Sequence, residues 1–92
     1  MRFEWDEQKN LENIRRHGID FADVPQIFQD YMLIDLDDRE DYGEDRWIGI
    51  GMLRNSLAVV VFTERQEDII RIISARRANK YERQRYQEAI AY

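Results

Sequence analysis

Two β-branched runs separated by one short polar stretch limit what this chain can become. Leu57 to Thr63 is almost continuously apolar, and the run that follows carries Ile69, Ile70, Ile72 and Ile73. Such residues suit a pleated, half-buried surface. The polar residues Glu64 to Asp68 between them read as a turn. An unbroken apolar strand is one buried on both faces, so Leu57–Thr63 is expected in the middle of a sheet. Val59, Val61, Ile70 and Ile72 are the expected buried positions. Arg71 interrupts the second run. Alternation puts it on the face of Ile69 and Ile73, where a charge needs a partner because desolvating it is costly.

The other elements follow from punctuation. Arg2 to Trp5 alternates and predicts a short first strand. Asp6 is a good N-cap for a helix that closes on Arg15, Arg16 and His17, with Gly18 as its stop. Leu11 and Ile14 are its expected core residues. Phe21 to Phe28 predicts a second, shorter helix with Pro25 near its start. Tyr31–Leu36 and Arg46–Leu53 predict two more strands around an acidic loop, Asp37 to Asp45. Arg54 to Ser56 is a hairpin turn. The Ile69–Ala75 strand leads into a helix over Ala78–Ala91. The order β-α-α-β-β-β-β-α predicts an α+β fold, with an antiparallel sheet packed against helices in one domain spanning residues 1–92.

The net charge of −5 is unevenly spread. Asp35 to Asp45 holds seven acids and the single base Arg39, whereas Arg71 to Arg85 holds six bases and the single acid Glu82. Local field, more than total charge, decides whether a polyanion binds. Twelve of the fourteen basic residues are Arg, the better bidentate phosphate ligand, although Arg also serves in internal ion pairs. There is no Cys, which excludes disulfide and thiolate chemistry. The longest apolar run, Leu57–Phe62, is too short to span a membrane, and the charged start predicts no signal peptide. A cytoplasmic protein without membrane contact is expected.

No phosphate-cradling glycine loop, serine elbow or His/Cys ligand set is recognisable. The acidic loop lacks EF-hand spacing and has Arg39 among its acids; it reads as a solvated face or a docking surface for a basic partner. No metal or cofactor is expected. What remains is a polar set: Lys9, Arg16, His17, Glu64, Arg65, Arg71, Arg76 and Arg77. Such a set suits RNA cleavage, where the 2′-hydroxyl supplies the nucleophile and the protein moves protons and stabilises the phosphorane. The candidate catalytic residues are Arg76, Arg71, His17 and Arg65, and the candidate RNA-binding residues are Lys9, Arg16, Arg77 and Lys80. Each has a plainer reading. His17 is also a helix C-terminal histidine. Arg71 is also a partner for Glu64 or Glu82, and Arg76 for Glu82 or Glu44.

The chain resembles the BrnT toxin family. The resemblance is carried by Phe3, Trp5, Asp6 and Lys9; by Asn13 and Arg16 to Gly18 with Phe21; by Phe28 to Asp30, Gly43 to Arg46, Ile48 and Gly49; and by Thr63 to Arg65, Arg71 to Arg76, Glu82, Arg83 and Tyr86. It implies a RelE-like ribonuclease fold and a type II toxin that arrests translation. It also implies a BrnA-type antitoxin with a ribbon-helix-helix DNA-binding domain, so that DNA is met only indirectly. The acidic balance differs from the basic character usual in ribosome-dependent RelE-like toxins and leaves free RNA open as the substrate. A non-catalytic corepressor subunit is the alternative.

Overall fold

The computed structural model describes residues 1–91. The elements are β1 (Arg2–Glu4), α1 (Glu7–His17), a 3-10 helix (Phe21–Gln29), β2 (Met32–Leu36), β3 (Trp47–Leu53), β4 (Ser56–Glu64), β5 (Ile69–Arg77) and α2 (Lys80–Ile90). They form one five-stranded sheet in the order β1-β5-β4-β3-β2. The pairs β2–β3, β3–β4 and β4–β5 are antiparallel, as short connections between successive strands allow. The apolar β4 is central, as expected. The first strand pairs parallel to β5, with Glu4 opposite Arg71. No helix among the described residues is long and apolar enough to cross a membrane.

The two faces of the sheet are covered differently. Over the first lies the 3-10 helix, whose Phe21, Val24 and Ile27 are wholly buried against Ala58, Val60, Phe62, Ile70, Ile72 and Ala75. Aromatic edges lock this layer: Phe28 meets Phe3 at 5.1 Å and Phe62 at 5.0 Å between ring centroids. Over the second face lies α2, packed chiefly on β2 and β3. Its Tyr86, with Ala78 ahead of the helix, closes a smaller cluster with Ile50, Leu57 and Val59. The β4–β5–β1 part of that face is left open, and Val61, expected in the core, is only half-buried there.

Helix α1 reverses an expectation. Leu11 and Ile14 stay 55% and 37% exposed, and the buried residues of α1 are Asn10 and Asn13. The reason is the sheet edge. β1 ends opposite Arg71, so the rest of β5 has unpaired backbone that something must satisfy. The Asn13 amide does this as a strand would. It donates to Ala75 O at 2.8 Å and accepts from Ala75 N at 3.1 Å, and it also donates to Ile19 O. Asn10 likewise accepts from Phe21 N and donates to Asp20, tying α1 to the 3-10 helix. The caps follow the sequence: Asp6 accepts from Gln8 N and Lys9 N, and Gly18 takes the left-handed conformation at φ 70°. At the other end β5 runs on to Arg77. α2 starts only after Asn79, whose side chain forms a reciprocal capping box with Glu82.

Candidate active site on the open sheet face

A β-bulge decides which side chains meet. Val61 pairs with Ser74 but Phe62 pairs with Ile72, so Ile73 is an extra residue in β5. Arg71 and Arg76 are an odd number of residues apart, and strict alternation would put them on opposite faces. The extra residue cancels this. Ile70, Ile72 and Ala75 all enter the core, so Arg71, Ser74 and Arg76 share the open face. Alternation had grouped Arg71 with Ile69 and Ile73; the structure groups it with Ser74 and Arg76. Arg71 and Arg76 pair with Thr63 and Val59, which places them about 13 Å apart along the sheet.

Each of these arginines has a carboxylate partner. Arg71 Nη1 donates to Glu4 at 2.8 Å, across the parallel β1–β5 pairing, in place of the expected Glu64 or Glu82. Arg76 grips Glu82 with two bonds of 2.8 and 2.7 Å, which is one of the partners open to it from the sequence. Glu82 is set for this by its place in the first turn of α2, where it also accepts from Asn79 N. The Arg76 guanidinium holds the Glu82 carboxyl below its ordinary range, against the opposing effect of burial, with help from the Asn79 backbone. At the other end of the face, Glu44 lies 3.8 Å from both Arg46 and Arg65. Arg46 stacks on Tyr42, 4.0 Å from the ring centroid, and its buried Nε meets no acceptor within hydrogen-bond range.

The acidic loop forms a wall of the site. It was expected as a solvated face or a docking surface for a basic partner, but within it Asp37 is only 4% exposed. Arg39 clamps the Asp37 carboxylate with two bonds of 2.8 Å, and Arg46 O accepts from Asp37 N at 2.7 Å. The Arg39 bonds outweigh burial and hold the Asp37 carboxyl down at about 2. The loop is tied to this face where Thr63 Oγ1 donates to Asp45 O at 2.7 Å and where Glu44 lies 3.8 Å from Arg65. The other acids of the loop face solvent.

The remaining candidates divide. Lys9, Arg16 and His17 line a groove of about 270 Å³ with Glu12, Asn13, Ile73 and Ser74. Ser74 belongs to both this groove and the open face, so the two are continuous there. Arg65 stands beyond the end of β4 beside Glu44. Arg77 lies away from this set, between two clefts on either side of the Arg54–Leu57 turn. Lys80 is exposed at the start of α2. The residue reading had not singled out Glu4, Tyr42 or Ser74, and it noted Arg39 only as the base among the loop's acids. Glu82 and Glu44 were open from the sequence as partners of Arg76, and Arg46 lay within the segments that carry the family resemblance.

Comparisons with known proteins agree with this architecture. A family model described as the ribonuclease toxin BrnT of type II toxin–antitoxin systems matches residues 5–82. The crystal structure of the Brucella abortus ribonuclease toxin BrnT superposes with a TM-score of 0.69 at 29% identity, covering 87% of this chain and 99% of that one. No curated protein matches. The chain belongs to the BrnT family of ribonuclease toxins of type II toxin–antitoxin systems.

Proposed function

We propose that this chain is a metal-independent endoribonuclease that works through the 2′-hydroxyl of its substrate. The 2′-oxygen attacks the adjacent phosphorus, the 5′-oxygen leaves, and the products are a 2′,3′-cyclic phosphate and a 5′-hydroxyl. The reaction needs one proton removed, one proton delivered and charge stabilised on the phosphorane. Arg76 and Arg71 supply positive charge to the phosphate, and Arg65 adds to it from the end of β4. His17 moves protons from the groove that joins the face at Ser74. Lys9 and Arg16 hold flanking phosphates, with Arg77 and Lys80 farther along the strand. The observation that carries this reading is the bulge at Ile73, which sets Arg71, Ser74 and Arg76 on one open face.

The carboxylates fit this scheme as internal substitutes for phosphate. Glu82 and Glu4 orient the two guanidiniums before RNA arrives, and a phosphodiester then competes for the same forks. In the cell the enzyme arrests translation in the cytoplasm by cutting RNA. A BrnA-type antitoxin covers it and links it to operator DNA. One observation favours the binding-module alternative: both arginines are already ion-paired, in a chain whose net charge is −5. A single assay separates the readings. Purified protein is given an RNA oligonucleotide, the same sequence with 2′-deoxyribose, and excess EDTA. Cleavage of RNA alone, undiminished by EDTA, is expected. Loss of activity in EDTA or cleavage of the deoxy substrate contradicts the mechanism, and no cleavage of RNA supports the binding module.

A further inference from the structure

The two edges of the sheet are not alike. β1 is three residues long and is followed at once by α1, whose Asn13 pairs with Ala75 farther along that edge. β2 is five residues long, Met32 to Leu36, and no strand among the described residues lies beyond it. Natural edges of this kind are usually blunted by proline, bulges, inward charges or a covering element. Here the strand reads Met-Leu-Ile-Asp-Leu, and its one charge, Asp35, is turned toward α2 and held by Arg85 at 2.9 Å. Ile34 and Leu36, on the opposite side, are 46% and 49% exposed. They extend the apolar surface of Met32 and Trp47 past the reach of the 3-10 helix. Directly after Leu36 comes the acidic loop, in which Asp38, Glu40, Asp41 and Asp45 have no ion-pair partner among the described residues.

We propose that the free edge of β2 receives an extended segment of the antitoxin as an added strand. That segment carries apolar residues that cover Ile34 and Leu36, and Lys or Arg residues that reach the acidic loop. Main-chain bonds supply affinity in such additions, and alternate side chains supply specificity. The charge argues against a second copy of this chain as the occupant. Antiparallel pairing of two β2 strands would set each acidic loop beside the other copy's Asp30, another acid without an ion-pair partner among the described residues. A basic segment gains where a second copy would be repelled. The proposal rests on the toxin–antitoxin reading, and it places the antitoxin outside the open face, so that inhibition acts through the acidic loop that walls the site.

The test uses hydrogen exchange on the full chain, alone and coexpressed with the product of the reading frame beside its gene. Exchange at Met32–Leu36 is expected to slow at least tenfold in the complex. Ile34→Asp is expected to weaken the complex at least tenfold while leaving RNA cleavage and Tm of the free chain unchanged. Asp38→Asn with Glu40→Gln and Asp41→Asn is expected to flatten its salt dependence. A complex that forms while β2 exchanges as in the free chain overturns the proposal and leaves the toxin–antitoxin reading standing. Wild-type affinity of Ile34→Asp also overturns it. So does concentration-dependent protection of β2 in the chain alone, which identifies a second copy as the occupant. Absence of any complex overturns the proposal together with the partner reading.

Discussion

On one face of the sheet the 3-10 helix presses Phe21, Val24 and Ile27 onto Val60, Phe62 and Ile72, and no charged group among the described residues enters this cluster. On the other face α2 stops short, and Arg71 and Arg76 lie half-buried with carboxylates as partners. On the proposed function, the difference is a division of labour within 92 residues. Burial of aromatic and branched side chains stabilises the chain from one side. The other side holds groups whose ion pairs contribute little to stability, and the proposed function has them exchanged for a ligand. Substitutions on the first face should therefore act through folding, and substitutions on the second through function.

The largest effect is expected at the wholly buried Phe21. Phe21→Ala should cost about 3–5 kcal/mol, because the cavity cannot collapse under a packed aromatic layer. In a small domain this removes most of the stability. Urea unfolding would show it, and a loss under about 1 kcal/mol would deny the 3-10 helix its role.

Next comes Asn13, which belongs to neither face but seals the sheet between them. Asn13→Leu keeps the branching of the side chain and strands Ala75 N–H and C=O, at a cost of about 2–3 kcal/mol. Faster amide exchange at Ala75 should accompany the loss. This residue also marks a limit of reading from sequence. A polar residue on a helix reads as solvent-facing, and nothing local says that the edge of β5, 62 residues away, needs an amide. The same distance hid the Glu4–Arg71 pair, 67 residues apart in the chain. Strand identity was legible because β-branched runs report their own environment, and caps were legible because Asp6 and Gly18 act within a turn. The bulge was not, since alternation predicts faces only while the register is unbroken. The candidate arginines were visible as a group; their faces and partners were not.

A smaller effect separates the loop from the rest. The Asp37 carboxyl is held at about 2, below its ordinary 3.8. Its stabilisation is therefore fully present above about pH 4 and is lost as pH falls through the folded value near 2. Acid titration followed by NMR should show the 37–46 loop still ordered near pH 4 and released near pH 2. Release near pH 4 would mean that the Arg39 clamp is weaker than its geometry indicates. The smallest effect is expected at Leu11, on the exposed side of α1. Leu11→Lys should change stability by no more than about 0.5 kcal/mol. A larger loss in thermal unfolding would show that the helix face has been misassigned.

The division between the faces is tested most directly at Arg76, by measuring RNA cleavage and Tm of Arg76→Ala side by side. Removing the guanidinium should slow cleavage roughly a hundredfold, as losing a donor to a developing oxyanion does. The Arg76–Glu82 pair is partly exposed and Glu82 keeps its bond from Asn79 N, so Tm should fall by only about 5 °C. A folded variant that cleaves RNA at the wild-type rate, or one that melts far earlier, would contradict the account.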